Sequence, residues 1–386
     1  METIEQSIIP GLPDDLALRC IAKLSHGYHG TLECVSKGWR DLVRSEDYSC
    51  YKARNGWSGS WLFVLTQGLK NRWVAYDPDA DRWHPLPRNI AVQDGWDHHG
   101  FEYVCVSSCL LVIGGCYVSS SSPREKTVVT GDVVRFDPFK KEWKRVASMR
   151  TPRAHFACAA VSGKVYVAGG RSAYSRLSNL VDSSSAEVYD PVADRWEELP
   201  AVPRPQMNSS GLGLSYKGSF HVMSDQVGIA EQISSGVFNP LEMSWSTVVD
   251  NWPSLMNYTV QVMKDDRPYT IVDSGLGGNV IQTRDTYEGE WYSVGSVPCV
   301  VVPNHPGESS PVVGFGFAAL RDELCVIGGH VRIKLDAARF QIVRSSVMMV
   351  CNPLDRPLNW RETKPMCIPA GGLIIGCVSL EESSPP

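Results

Sequence analysis

The stretch that decides the fold reads KVYVAGG from Lys164 and, after a polar insert, AEVYDPVADRWEELP ending at Pro200. Its first apolar run ends at Gly169 and Gly170, its second ends in Tyr-Asp-Pro, and Trp196 follows five residues after that proline. Runs rich in β-branched and aromatic residues favour strands. Asp-Pro favours a turn, because proline fixes φ and aspartate bonds its own backbone. The stretch therefore predicts short strands joined by tight turns, with one tryptophan to anchor the sheet.

The same unit recurs along the chain at intervals of roughly 50 residues. An Asp-Pro or Asn-Pro turn precedes each of its tryptophans except the fifth, where the spacing from Tyr287 is shortened. The repeated tryptophans are Trp83, Trp143, Trp196, Trp245, Trp291 and Trp360. Units of this length, with four short strands each, are typical of a β-propeller.

The repeat resembles the kelch motif, whose blade carries a diglycine after its second strand, an aromatic residue on the third and a tryptophan on the fourth. This resemblance implies a mainly β protein with a six-bladed kelch-type β-propeller at residues 61–380. The first unit offers only three strands. We therefore expect the last apolar run, Gly372 to Leu380, to complete that blade and close the ring. Residues 381–386 are then a polar tail.

Residues 8–50 have a helical pattern instead. Pro13 and two following acids mark a helix start, and Ala17, Ile21 and Leu24 share one helix face. A second helix is predicted to run through Leu32, Val35, Trp39 and Leu42. About 45 residues are too few to bury a competent core alone, so this unit needs the propeller or a partner. Residues 1–7 are expected to be disordered, and residues 51–60 to be a connector.

This helical segment resembles an F-box, whose pattern is Leu-Pro at the first helix start, Ile-x-x-Leu within that helix and Val-Ser-x-x-Trp on the next. The resemblance implies that the segment docks on a Skp-type adaptor. The adaptor-binding residues that it implies are Leu12, Pro13, Leu16, Ile21, Leu24, Leu32, Val35, Trp39 and Leu42. The chain departs from the family in the loop SHGYHG at Ser25–Gly30, where proline and acidic residues are more usual.

Composition excludes several function classes. The net charge of −5 provides no basic field for nucleic acid or anionic lipid. The chain contains no apolar run of about 18 residues that would predict a membrane span, and its first residues do not form a secretory signal. The twelve cysteines include no CxxC pair and are expected to be reduced thiols. We expect a cytoplasmic or nuclear protein.

Catalytic motifs are absent from the sequence: HExxH, GxSxG, a Walker-type loop and GxGxxG before a helix do not occur. A copper oxidase on a kelch-type propeller would need converging tyrosine and histidine ligands. The one adjacent pair, His98-His99, diverges if it lies on a strand. We therefore expect no cofactor, no metal and no catalysis by this chain.

Kelch propellers that recruit peptides usually contact them with loops that follow the diglycine or precede a blade's first strand. The residues at such positions here are Tyr117, Arg153, His155, Arg171, Arg204 and His330. Arg153 and Arg171 are able to make bidentate contacts with an acidic group. The alternative for both is a solvated loop arginine.

Together the two resemblances imply the substrate-recognition subunit of an SCF-type (Skp-cullin-F-box) ubiquitin ligase, a combination common in plants. The F-box would bind the adaptor, and the propeller would hold a target protein near the conjugating enzyme, which raises effective concentration. Two alternatives stay open. One is a kelch scaffold for other proteins, with the helices as a cap. The other is a propeller enzyme, which a bound metal or a deep polar channel would favour.

Overall fold

The structure is a computed structural model, and it describes most of the chain. The described residues are 7–67, 72–91, 96–119, 127–171, 184–203, 212–223, 233–250, 261–273, 278–285, 289–301, 309–310, 314–334, 340–366 and 373–381. Among them, no helix is long and apolar enough to cross a bilayer.

A small helical unit precedes the strands. Its elements are α1 (Asp14–Ala22), a 3₁₀ turn (His26–Tyr28), α2 (His29–Glu33), α3 (Lys37–Arg44) and α4 (Glu46–Arg54). The single second helix predicted above is wrong: Ser36 leaves the helical conformation, and its Oγ accepts a hydrogen bond from Trp39 N at 3.0 Å. Serine at that position caps α3 and separates it from α2. Helix α4 extends past residue 50 into the expected connector.

The strands follow in chain order. The first sheet contains β1 (Trp61–Gln67), β2 (Arg72–Asp77) and β3 (Arg82–Pro85). After β4 (Trp96–His99), the second sheet contains β5 (Glu102–Val106) and β6 (Cys109–Ile113), then β7 (Cys116–Ser119) and β8 (Thr127–Val129) as an insertion, then β9 (Val133–Asp137) and β10 (Glu142–Val146). The third sheet contains β11 (Ala157–Val161), β12 (Lys164–Ala168), β13 (Ala186–Asp190) and β14 (Arg195–Leu199).

Three further sheets complete the series. The fourth contains β15 (Leu212–Tyr216), β16 (Ser219–Met223), β17 (Ile233–Asn239) and β18 (Ser244–Asp250). The fifth contains β19 (Gln261–Lys264), β20 (Arg267–Asp273), β21 (Asn279–Arg284) and β22 (Trp291–Ser296). After the pair β23 (Val300–Val301) and β24 (Ser309–Ser310), the sixth contains β25 (Gly316–Leu320) and β26 (Glu323–Ile327), the inserted hairpin β27 (His330–Lys334) and β28 (Phe340–Arg344), then β29 (Met348–Cys351) and β30 (Trp360–Glu362). The last strand is β31 (Leu373–Leu380).

Strand β31 belongs to the first sheet. It pairs antiparallel with β1, from Trp61 opposite Leu380 to Gln67 opposite Leu373, and gives the order β3-β2-β1-β31. The innermost strands β31, β5, β11, β15, β19 and β25 neighbour one another in that order, and β25 lies again beside β31. The six four-stranded sheets of the described residues therefore close into a ring, the arrangement of a β-propeller.

The ring has two distinct ends. In the second, third and sixth sheets the second strand (β6, β12 and β26) is followed directly by a diglycine, as at Gly114-Gly115, and we call this end of the ring the diglycine end. The antiparallel third strand runs back, so its turn to the fourth strand lies at the opposite end, which we call the turn end. With strands of about five residues, the two ends are roughly 17 Å apart. Gly114 adopts φ 59°, and a Cβ there would lie 2.7 Å from Arg153 O, which explains the need for glycine.

The repeated Asp-Pro turn has the hydrogen bonds that the sequence predicts. Asp190 Oδ1 accepts from Val192 N at 2.9 Å and from Ala193 N at 3.1 Å. The side chains of Asp77, Asp137, Asn239 and Asn352 make the corresponding bonds in their own turns. Each of these turns is therefore stabilised by a side-chain hydrogen bond within the turn itself, without a contact to another sheet.

In five of the six sheets of the described residues, the indole of the repeated tryptophan donates a hydrogen bond to the backbone of the sheet before it. Trp196 Nε1 donates to Ala147 O at 2.8 Å, and Ala147 N donates to Asp194 Oδ1 at 2.9 Å. The first sheet holds the sixth in the same way: Trp83 Nε1 donates to Lys364 O at 2.9 Å, and Lys364 N donates to Asp81 Oδ1 at 3.1 Å. The same pair of hydrogen bonds that joins the third sheet to the second therefore also joins the first sheet to the sixth and closes the ring.

Ending the chain at residue 372 removes β31 and should open the ring. Leu62 and Val64, which are fully buried on β1, would lose the partner strand that covers them. We expect an insoluble chain, or a melting temperature at least about 10 °C lower, measured by calorimetry. A chain ending at Glu381 keeps β31 and should melt like the full chain. Equal melting of the two truncated chains would contradict the closure described here.

Candidate adaptor and target surfaces

The loop Ser25–Gly30 attaches the helical unit to the turn end of the first two sheets. His26 packs edge-on against Phe139, with the ring centroids 3.9 Å apart. Ser25 Oγ donates a hydrogen bond to Asp77 Oδ2. Gly27 lies so close to His84 that a Cβ there would overlap the imidazole. The loop that departs from the family pattern is therefore the loop that seats the F-box on the propeller, and we call this contact the seam.

Buried basic side chains shape the electrostatics of the seam. His26 and His29 are both buried, and Lys52 is fully buried with its Nζ donating to Leu24 O at 2.6 Å. Burial, helped by the nearby Lys52 ammonium, holds the pKa of His26 well below its usual value and lowers the pKa of His29 to about 3. Both imidazoles are therefore neutral at pH 7.

The nine residues assigned to adaptor binding divide by exposure. Leu16, Leu24 and Val35 are exposed by 45%, 40% and 58%. Ile21 and Leu32 are only 2% and 6% exposed and form the interior of the helical unit. The remaining four are either exposed (Pro13) or half-buried (Leu12, Trp39 and Leu42).

Trp39 has a clear internal contact. Its Nε1 donates to Ile8 O at 2.6 Å, and Ile8 N donates to Asp14 Oδ1 at 2.8 Å. These bonds tie the segment before α1 to α3. The exposed leucines and valine, rather than Ile21, Leu32 or the Trp39 ring, are thus the apolar surface that the helical unit offers to a partner.

Arg153 differs from its expected role. It is fully buried, and its guanidinium donates to Gly169 O, Ser185 O and Ser185 Oγ at 2.8–2.9 Å and to Glu187 Oε1 at 2.6 Å. Glu187 is also buried and accepts the Arg150 and Thr151 amides. Because Arg153 is fully buried, its guanidinium is out of reach of a target bound at the surface. It holds the diglycine strand end in place, and neither the target-binding nor the solvated interpretation describes it.

Tyr117 is also internal. Its hydroxyl donates to Ala91 O at 3.0 Å, and its ring stacks on His98 at 4.5 Å. The Phe101 ring also stacks on His98, with the ring centroids 4.5 Å apart. His98 Nε2 lies 2.8 Å from Gly114 O. Burial lowers the pKa of His98 to about 4. The histidine pair considered as a metal site is thus split: His98 is packed among aromatic rings, and His99 is exposed.

His155 and Arg171 do come together at the diglycine end. Arg171 N donates to Ala154 O at 2.8 Å, and His155 N donates to Gly100 O at 2.7 Å. Burial and the positive charge of Arg171 lower the pKa of His155. His330 begins β27 on another sheet at the same end, and Arg204 lies outside the described residues.

Two insertions that the sequence analysis did not predict extend the diglycine end. Strands β4, β7 and β8 form a three-stranded sheet beside the second blade, and β27 with β28 forms a hairpin on the sixth. Both follow a diglycine directly. The signal available was the length of chain between the diglycine and the next strand, which is greater in these units than a turn requires.

Metal ligands do not converge in the described part of the chain, where no group of three or more His, Cys, Asp or Glu side chains is arranged to hold an ion. Five of the described histidines instead pack against aromatic rings, as His26 does at the seam and as His98 does against Tyr117.

Comparison with known proteins supports both parts of the chain. The F-box domain family model matches residues 9–50, and the Kelch motif model matches residues 152–203. The chain is similar to F-box/kelch-repeat protein At1g16250 of Arabidopsis thaliana, at 74% identity over 393 aligned residues that cover 100% of each chain. It is also similar to F-box/kelch-repeat protein SKIP30 of Arabidopsis thaliana, at 29% identity over 97% of each chain.

An F-box seated on a ring of kelch-type sheets defines a class of two-part proteins. The chain belongs to the F-box/kelch-repeat family. The combination supports, in general, the role of a substrate adaptor in SCF-type ubiquitin ligases.

Replacing Phe139 with alanine should loosen the seam. The His26 and His29 rings would lose their packing partner on the second sheet, at a cost of roughly 1–3 kcal/mol. We expect faster hydrogen exchange over residues 25–54, measured by mass spectrometry. Val192 holds the same turn position in the third sheet but is 92% exposed, so Val192→Ala is the matched control and should leave exchange unchanged. Identical exchange in the two variants would argue against this seam.

Acid should weaken the fold through His29. Its folded pKa of about 3 lies below the unfolded value near 6.5, so only the unfolded chain takes up a proton as the pH falls below about 6.5. The contribution of neutral His29 to the free energy of unfolding is fully present above that pH, and it falls by roughly 2 kcal/mol between pH 7 and pH 5. Urea unfolding should show His29→Gln losing less stability over this range than the native chain. The control His99→Gln, at an exposed position, should lose as much as the native chain. An equal loss in all three would refute the assignment.

Proposed function

We propose that this chain is the substrate-recognition subunit of an SCF-type ubiquitin ligase. In this role, the F-box binds a Skp-type adaptor and the propeller binds a target protein. The observation that carries the proposal is the apolar surface at Leu16, Leu24 and Val35, which stays exposed although the seam covers the other side of a very small unit. These side chains are exposed apolar area on the helical unit that a partner is able to bury.

The two ends of the ring support a division of labour. The seam occupies the turn end, whereas the loops and inserted strands that follow the diglycines lie at the other end, roughly 17 Å away. A target bound there leaves the adaptor surface free. The chain then contributes proximity, by holding a lysine of the target near an activated ubiquitin, and performs no bond chemistry of its own.

The charge at the diglycine end favours an acidic feature on the target. Burial, together with the nearby Arg171 guanidinium, lowers the pKa of His155, and Arg171 N donates to Ala154 O beside it, so Arg171 brings a positive charge to this end of the ring. A carboxylate or phosphate on a target would offset that charge and accept hydrogen bonds from the Arg171 guanidinium. A cytoplasmic or nuclear location is part of the same proposal.

Co-purification with a Skp-type adaptor tests the proposal. The double variant Leu16→Arg, Val35→Arg places charges on exposed positions and should reduce recovered adaptor at least tenfold, with unchanged melting of the propeller. The double variant Val192→Arg, Leu241→Arg alters two even more exposed apolar residues, in the turns of the third and fourth sheets, and should bind normally. Ile21 is unsuitable because a charge there would unfold the helical unit. If the first variant retains the adaptor, or the native chain never binds it, the kelch scaffold becomes the better description.

A further inference from the structure

A cavity of about 230 Å³ lies at the seam, between the F-box loop and the first two sheets. Three aromatic residues with very little exposure, Trp61, Phe63 and Phe136, form much of its wall, together with prolines from both sheets. A cavity of 150 Å³ holds benzene. This cavity therefore has room for one aromatic ring with a short substituent.

Two imidazoles on its wall lack normal hydrogen bonds. The Nε2 of His84 is shielded from solvent and has no hydrogen-bond partner. The Ser58 backbone lies close enough to His26 to raise its pKa, but neither ring nitrogen of His26 makes a hydrogen bond of normal geometry. Native proteins rarely bury such groups without a partner. A polar ligand group in the cavity would supply one.

Lys141 adds a positive charge to the same wall. It takes the turn position that Asp81 and Asp194 use to bond the neighbouring sheet. The Lys141 side chain instead reaches toward the F-box, where a Cβ on Gly30 would lie 3.2 Å from Nζ. Burial lowers the pKa of Lys141, as expected for an ammonium that lacks a close anion.

Acidic side chains near the seam already have partners. Asp77 accepts from Ser25 and from two amides of its own turn. Glu33 lies near Lys141 but pairs with Arg44 at 2.8 Å. Of the described residues that line the cavity, none is acidic. The cavity is thus apolar on most of its wall and cationic at one side.

We propose that this cavity binds a small aromatic carboxylate. Its ring would lie among Trp61, Phe63 and Phe136, and its carboxylate would accept hydrogen bonds from Lys141 Nζ and from an imidazole N–H of His84. Because His26 and Gly27 of the F-box loop line the same cavity, such a ligand contacts the F-box and both sheets at once. Ligand binding would therefore stabilise the seam.

Calorimetric titration of the full chain, without adaptor, tests the proposal with cinnamate as the probe and neutral cinnamamide as its matched control. We expect cinnamate to bind in roughly the millimolar range or tighter, and cinnamamide to bind at least tenfold more weakly. Lys141→Met should weaken cinnamate at least tenfold. Methionine suits this backbone, since Met243 holds the same turn position at φ 52°. Lys140→Met changes the exposed neighbouring lysine and should leave the affinity unchanged.

A second variant tests the location. Ala75→Leu adds a larger side chain to the cavity wall and should abolish cinnamate binding while calorimetric melting still shows a folded chain. In the native chain, cinnamate should slow hydrogen exchange over residues 25–30, and in Lys141→Met it should not. The proposal is overturned if cinnamate does not bind the native chain at about 10 mM. It is overturned equally if cinnamamide or Lys141→Met matches the native affinity, or if a folded Ala75→Leu chain still binds.

Discussion

The hydrogen bond from a tryptophan indole to the backbone of the preceding sheet is the contact on which the ring depends. Each donor tryptophan lies at the same place in its unit, five residues after the proline of a turn in most copies. The repeat in the sequence therefore places the same hydrogen bond between successive sheets. The stacked aromatic residue on the third strand, as at Tyr189 with its ring 5.1 Å from Trp196, orients the indole. Where that residue is tyrosine, its hydroxyl also holds the turn aspartate that completes the contact. In the second sheet that residue is Phe136, and Lys141 stands where the turns of the first and third sheets have the aspartate. The Lys141 side chain is therefore available to contact the seam.

Ring closure in turn determines where the two functional surfaces can lie. The chain enters the ring at the start of β1, which is at the turn end, and this places the F-box beside the turns of the first two sheets. Loops that follow the diglycines are left at the opposite end. The separation of the proposed adaptor and target surfaces is therefore a consequence of strand direction, and it needs no special linker. It needs only a loop that fits the turns, which is what Ser25–Gly30 provides.

Much of this could be predicted from the sequence, because turns and tryptophans act locally and repeat. The kelch-type ring and the F-box are confirmed, and the hydrogen bonds of the Asp-Pro turns are as the residues predict. The roles of individual site residues were harder to predict from the sequence. Arg153 has the chemistry of a ligand-binding arginine, but its burial depends on Glu187, 34 residues later in the chain. Likewise, the residues Ser25–Gly30 matched no pattern, and their partner Phe139 lies more than a hundred residues away. Burial that arises between distant segments leaves no periodic signal, so exposed and internal members of the adaptor set looked alike.

The pairing of β1 with β31 sets an order of events during synthesis. Residues 61–67 emerge more than 300 residues before the strand that covers them, an interval of roughly 15–60 seconds at ordinary elongation rates. Through that time, the first sheet, which carries Asp77 and His84, is one strand short. The seat of the F-box is therefore among the last parts of the molecule to be finished, although the F-box itself is made first. The first sheet, which contacts the F-box loop through Asp77, is thus complete only when the last strand has paired with β1.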